Sequence, residues 1–228
     1  MFVLTLDTAT PAVTAGVVEL DGDGAVVLLA ERITLDSRRH TEALLPQIRD
    51  CLTQLEVSPA NLGAVVIGVG PGPFTGLRVG VATAQAFADA VELPLYGVCS
   101  LDALADAARQ AEPLLVATDA RRREVYWALY GGNGQRLTSP AVDTPAQLRL
   151  LLDDGTVHAG FAVGEGASIY ADVLQLPVHS VSYPTCIGLA RGARARLLAG
   201  APSEFPRPLY LRRPDATPQV EVREAVAL

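Results

Sequence analysis

An apolar run, Ala64 to Ile67, breaks into Gly68-Val69-Gly70-Pro71-Gly72-Pro73-Phe74-Thr75-Gly76-Leu77-Arg78-Val79-Gly80, and no other stretch constrains the fold as tightly. The pattern predicts a buried strand, then a helix over about Thr75 to Ala90. A glycine-rich turn from a strand into a helix N-terminus is a place where α/β proteins hold phosphates. This turn departs from both phosphate patterns. Gly70 and Gly72 lack a third glycine three residues on, and no Lys follows Gly76. Pro71 and Pro73 remove two backbone N–H groups. The spacing favours a tight turn that starts a helix.

The helix carries a second signal. Gly76, Gly80, Ala84 and Ala88 recur every four residues and make one stripe of almost no side chain. Val79, Thr83 and Phe87 lie beside it. Glycine inside a helix costs roughly 1 kcal/mol relative to alanine, so close approach of another backbone is the expected compensation. That backbone belongs either to this domain, in the sheet, or to a helix of another chain. Spacing alone supports both.

Composition narrows the chemistry. The 228 residues make one large domain or two small ones, and 50% hydrophobic content supplies a core. The chain has 18 basic and 25 acidic residues, a net charge of −7, which argues against an extended nucleic-acid surface of its own. All 18 basic residues are Arg. Without lysine there is no Schiff base, P-loop lysine or kinase-type phosphate lysine. Cys51, Cys99 and Cys186 are odd in number and far apart, so they form neither a disulfide framework nor a metal knuckle. The first residues enter a strand at once, with no signal-peptide pattern and no membrane-length apolar run. Together these features fit a reducing cytoplasm. His40, His158 and His179 are dispersed, without a His-x-x-x-His or His-Glu-x-x-His pattern, so no metal site is expected.

Read in order, the chain repeats itself. Phe2 to Asp7 is a strand, Asp7-Thr8-Ala9-Thr10-Pro11 a turn, Thr14 to Leu20 a strand, and Asp21-Gly22-Asp23-Gly24 a hairpin turn into Ala25 to Ile33. Leu114 to Asp119, Asp119-Ala120-Arg121-Arg122-Arg123, Glu124 to Tyr130 and Gly131-Gly132-Asn133-Gly134 follow the same plan. Glu112-Pro113 divides the halves. Between them lie a helix over about Thr41 to Leu55 containing Pro46, the glycine motif with its helix, a strand over Leu93 to Val98, and a helix capped by Ser100. The first helix carries two apolar ridges: Leu45, Ile48, Leu52, Leu55 and Leu44, Ile48, Cys51, Leu55. That is wider than a sheet needs. Later come a Thr144-Pro145 helix start, a strand over Val157 to Val163, a Gly164-Glu165-Gly166 turn and a helix over Pro184 to Ala199. The domain boundaries expected are 1–111, 112–213 and a tail over 214–228. Asp7 reads best as a strand-end carboxylate that caps its turn. The arginine run reads either as solvated charge or as a phosphate contact.

The motif Gly70-Pro71-Gly72-Pro73-Phe74-Thr75-Gly76-Leu77-Arg78-Val79-Gly80 resembles the signature of the bacterial TsaB (YeaZ) family, with Pro73 in place of the usual serine. The resemblance extends to Leu6-Asp7-Thr8-Ala9-Thr10, Arg39-His40, Asp119-Ala120-Arg121, Glu124-Val125-Tyr126-Trp127 and Pro208-Leu209-Tyr210-Leu211-Arg212, in that order along nearly the whole chain. It implies an α/β fold of two tandem actin-like (ribonuclease H-like) subdomains, each a mixed sheet with flanking helices. It implies a scaffold without catalytic, cofactor or metal residues of its own, pairing through N-terminal helices with TsaD. TsaD, joined by the ATPase TsaE, threonylcarbamoylates tRNAs reading ANN codons, so tRNA is met only through the complex. Arg39, His40, Leu44, Ile48, Gly76, Val79, Gly80, Thr83 and Phe87 are the interface residues this suggests. On that view Gly80→Leu spares the fold and abolishes pairing. An exposed apolar helix pair also favours self-association, as a homodimer, when the partner is missing. Two alternatives stand beside it: an actin-like ATPase or small-molecule kinase acting alone, opposed by Ala9 and Arg121 in the phosphate turns, and a peptidase, for which no triad or zinc motif speaks.

Overall fold

The computed structural model describes residues 1–36, 40–108 and 111–212, without the side chains of His40 and Thr41. Strands β1 (Phe2–Asp7) and β4 (Leu62–Gly68) are apolar on both faces, which suits a parallel pair covered from both sides. β1 is the centre of a five-stranded sheet. β1 lies between β2 (Ala12–Leu20) and β4, with β3 (Val26–Leu35) outside β2 and β5 (Leu95–Val98) outside β4, in the order β3-β2-β1-β4-β5. β1 runs antiparallel to β2, with Asp7 opposite Thr14, and parallel to β4, with Leu6 opposite Ile67.

The second sheet repeats this plan with four strands: β6 (Leu114–Asp119), β7 (Val125–Tyr130), β8 (Ala141–Asp143) and β9 (Phe161–Val163), in the order β8-β7-β6-β9. β6 pairs antiparallel with β7 and parallel with β9. Asp7 and Asp119 close equivalent strands.

The helices interlock the halves. α1 (His40–Gln54) and α2 (Phe74–Ala90) cover one face of the first sheet with Leu44, Ile48, Leu52, Val81, Ala84 and Ala88. α3 (Ser100–Ala107) follows the first sheet in sequence but packs on the second, burying Leu101, Leu104 and Ala105 against Leu114, Val116 and Ala128. α7 (Cys186–Leu198) does the converse. It follows the second sheet and lays Leu189, Ala190 and Ala193 on Val3, Val18 and Val66 of the first. α3 and α7 meet in the middle, where Gly188 lies against the Ala103 carbonyl with no room for a Cβ. α4 (Pro145–Asp153), α5 (Glu165–Ile169) and α6 (Ala171–Leu174) complete the outer face of the second sheet. Every strand of the first sheet precedes residue 111 and every strand of the second follows it, while α7 crosses back. No described helix is long and apolar enough to cross a membrane.

Two local expectations change. Ser100 is not the cap of α3; Cys99 holds that place with extended backbone, and the Ser100 side chain is used elsewhere. α1 contains Pro46 as expected, with Leu44, Ile48 and Cys51 in the core. β9 starts at Phe161 rather than Val157, and β8, α5 and α6 are short elements that periodicity does not resolve. The Thr144 start is as expected, with a full capping box to Gln147.

All three cysteines are buried. Burial raises the thiol pKa of each, that of Cys99 to about 12, and nearby carboxylates add to the effect. The folded chain should therefore show no rapid reaction with Ellman's reagent at pH 8, and all three thiols should react in denaturant. A fast native thiol would contradict this packing.

Candidate functional site

The glycine motif is filled by its own protein. Ser100 Oγ donates to Asp7 Oδ2 at 2.6 Å and accepts the Gly70 N–H at 3.1 Å. Asp7 Oδ1 accepts the Ala9 N–H at 2.9 Å, and the Gly70 carbonyl accepts the Ser100 N–H at 2.8 Å. Asp7 has no solvent exposure. Gly68 leaves space for its carboxylate, and Gly72 lies on the Ala9 carbonyl; a Cβ at either would collide. The turn after β1 and the motif after β4 are thus pressed together. This geometry supports the turn-capping role of Asp7 and leaves a lone ATPase or kinase without an outward-facing carboxylate at that turn.

The stripe on α2 also turns inward. Thr8 Oγ1 donates to the Gly76 carbonyl at 2.8 Å and occupies the place a Gly80 Cβ would take. Ala84 and Ala88 are buried in the first core. Of the nine interface residues suggested by sequence, Leu44, Ile48, Gly76 and Gly80 are buried within the chain. Val79, Thr83 and Phe87 are half-buried. Arg39 and the His40 side chain lie outside the described residues. What faces outward is different: Leu45, at 58% exposure, with Ala82 and Ala86. With Thr83 and Phe87 they line an apolar groove of about 410 Å3 between α1 and α2. Phe87 also borders a second hollow of about 510 Å3 towards Leu52, Val57 and Pro59. Leu45 is in one of the two ridges read in α1, where Ile48 and Leu52 are buried; Ala82 and Ala86 carry no signal, because alanine fits either face.

A second cluster forms at the mouth of the cleft between the sheets. The chain after α7 runs along β5 and then across to the second half. The Glu204 N–H binds the Leu95 carbonyl and the Leu209 N–H the Val69 carbonyl. The Tyr210 ring lies 4.8 Å from that of Phe74, which the Arg78 guanidinium covers at 3.8 Å. Arg212 then binds the Ala120 carbonyl at 2.8 Å and pairs with Glu124. This strap pins the arginine loop. Arg121, Arg122 and Arg123 have φ of 59°, 53° and 62°, a left-handed run that non-glycine residues rarely adopt. Such residues cost on the order of 1–3 kcal/mol each and persist only when neighbours fix them. Here the Asp119 carboxylate accepts the Arg121 N–H, and the Glu124 and Ala120 backbones close the turn.

Behind that loop, Gly164 and Gly166 bring α5 against the carbonyls of Ala117 and Thr118. The close packing explains the Gly-x-Gly turn. Burial raises the pKa of Glu165, the Asp119 charge adds to the rise, and a hydrogen bond from Tyr183 opposes it. Among the described residues no group of three or more His, Cys, Asp and Glu is placed to hold a metal ion.

Comparison with known proteins follows the same outline. A family model described as TsaD, tRNA N6-adenosine threonylcarbamoyltransferase, matches residues 31–170. The chain is 45% identical over 216 residues to an uncharacterised protein of Mycobacterium tuberculosis, covering 95% of this chain and 94% of that one. Its similarity to an uncharacterised protein of Mycobacterium leprae is 44% over 226 residues, 99% of this chain but 59% of the relative's length. It is 42% identical over 133 residues to the tRNA threonylcarbamoyladenosine biosynthesis protein TsaB of Escherichia coli, 57% of this chain and 55% of that one. The solved structure of YeaZ from Pseudomonas aeruginosa superposes with a TM-score of 0.73 at 27% identity, over 92% of this chain and 99% of that one.

Two outcomes follow from the packing. Ser100→Ala strips a partner from both Asp7 and the Gly70 N–H and should cost about 1–3 kcal/mol; Gly80→Leu overpacks against Thr8 and should cost at least about as much. Urea unfolding measures both, and a native-like Gly80→Leu would show that α2 can shift off β1. Glu165 has the opposite sign. Its raised pKa means the folded state holds the proton more tightly, so its ionisation weakens the fold as pH rises through the folded value. Glu165→Gln should raise the melting temperature at pH 7, and the gain should vanish below the ordinary glutamate range.

Proposed function

This chain belongs to the TsaB (YeaZ) branch of the TsaD family, and from that premise we propose that it is a non-catalytic subunit for making N6-threonylcarbamoyladenosine in tRNA. In this reading it binds a TsaD-type transferase, and through it the ATPase TsaE, and activates transfer to the adenosine beside the anticodon in tRNAs that read ANN codons. The groove between α1 and α2 carries the proposal. Leu45, Ala82, Thr83, Ala86 and Phe87 present an uncharged, shallow surface on a chain of net charge −7. Small residues there let a partner helix approach closely, and Phe87 supplies the aromatic anchor typical of interface centres. Gly76, Gly80, Leu44 and Ile48 contribute from beneath, by setting how α1 and α2 sit on the sheet. Val79 and Thr83 lie at the margin of the same face. The buried Asp7 supports a role without nucleotide chemistry of its own.

The test is reconstitution with the adenylate-forming enzyme, TsaD, TsaE, threonine, bicarbonate, ATP and tRNA. Modification should require this chain. Ala86→Arg and Leu45→Arg change exposed positions, so both should fold normally, weaken pairing with TsaD at least tenfold and reduce modification in parallel. Modification that proceeds equally well without the chain would overturn the proposal.

A further inference from the structure

We propose that a segment beyond the described residues, Gln219 to Arg223, adds an outer strand to the first sheet along the free edge of β3. The inference goes beyond the functional reading and does not depend on it: it assigns the occupant of an open sheet edge.

The first observation is the edge itself. β3 pairs with β2 on one side and, among the described residues, with no strand on the other. It is 10 residues long, and a long open edge is a template for further pairing. Apolar side chains near its end are left in solvent: Ile33 is 48% exposed and Leu35 63%. These two share a face of the strand, because side chains alternate along it.

The second observation lies on the other face of the same stretch. There Arg32 donates to Gln54 of α1, and Gln47 Nε2 donates to Thr34 Oγ1 at 2.8 Å. Gln47 is only 7% exposed, yet its Oε1 has no hydrogen-bond partner. Turning the amide over exchanges the bonded atom and still leaves one unpaired. Gln47 lines a hollow of about 290 Å3 between β3 and α1, together with Arg32, Thr34 and Pro46. Buried polar atoms in native proteins have partners, so this amide calls for a group that the described residues do not supply.

The sequence beyond Arg212 fits both faces. Gln219-Val220-Glu221-Val222-Arg223 alternates polar and β-branched residues, the pattern of a half-covered strand. Val220 and Val222 would cover Ile33 and Leu35, and Gln219, on the opposite face, brings an amide to Gln47. Pro218 precedes them, and proline is tolerated at the first residue of an edge strand. Reach agrees as well. Leu35 pairs with Ala12, so β3 ends beside the turn after β1. Gly72 lies on Ala9 of that turn, and Arg212 lines the same hollow as Gly72. A strand entering from this end runs antiparallel to β3. Two strand spacings, about 10 Å, separate β1 from β3, and one more of about 5 Å reaches the added strand; the residues from Arg213 to Val220 extend up to about 26 Å. Tethering gives the chain's own segment a high effective concentration, which favours it over that of a second copy. Pro46, in the same hollow, adjoins Leu45 of the partner groove, so the added strand would brace the helix that carries it.

The experiment is amide hydrogen exchange by NMR on the full chain, wild type against Val220→Asp with Val222→Asp. The amides of residues 31–35 that do not bond to β2 should exchange at least about tenfold more slowly in the wild type, and the Val220 and Val222 amides should be protected with them. The β2-bonded amides of the same strand report the fold and should match in the two proteins. The reciprocal variant, Ile33→Asp with Leu35→Asp, should release the Val220 and Val222 amides. Equal exchange of the outward amides in wild type and the valine variant would overturn the inference. So would protection that rises with protein concentration alongside a dimer in sedimentation, since the strand would then come from a second copy.

Discussion

The carboxylate of Asp7 is buried where three segments meet, and the architecture depends on how it is satisfied. A buried carboxylate is costly unless hydrogen-bonded. Here the Ser100 hydroxyl and the Ala9 N–H bind it, and the same hydroxyl takes the Gly70 N–H. One side chain thus ties the end of β1, the loop after β4 and the first turn of α3. The glycines of the motif follow from this. Gly68 must leave room for the carboxylate and Gly72 for the turn after β1. Their spacing serves a protein–protein junction within one chain, and that is why it matches neither phosphate fingerprint.

From that junction α3 leaves for the second sheet, and α7 returns from the second to the first. Each half therefore lacks one covering layer unless the other supplies it. Residue 111 divides the strands cleanly, yet neither side of that division has a closed core. The strap after α7 adds a further link, from β5 through Val69 and Phe74 to the Glu124 turn. Exchanged helices and the strap thus tie the twin sheets to one another on both sides of residue 111.

Much of this is legible in the sequence. The repeated plan of strand, aspartate, turn, strand and hairpin turn is visible because each of its parts has a strong local signal. The Thr144-Pro145 start announces itself for the same reason. The exchange of α3 and α7 is not legible, since an apolar ridge such as Leu189, Ala193 and Leu197 says that it is buried but not against which sheet. Ser100 misleads because serine before a helix usually caps it; here the hydroxyl is drawn to a carboxylate 93 residues away. The small stripe of α2 was open between two partners, and only the position of Thr8 decides between them. The Pro-rich strap carries no periodicity, so its contacts with Val69, Phe74 and Ala120 appear only in three dimensions.

α2 is the element on which these facts converge. Its inner face is made of glycine and alanine so that it can lie on the β1 turn, with the Thr8 hydroxyl bonded to the Gly76 carbonyl in compensation for two helical glycines. Its outer face, at Ala82 and Ala86, lines the groove between the two helices together with Leu45 of α1. Replacing the inner small residues would lift the helix and deepen or close that groove without touching it. The glycine motif thus shapes the outer surface through the inner one. That is the physical sense in which residues buried in this chain can govern a contact they do not make.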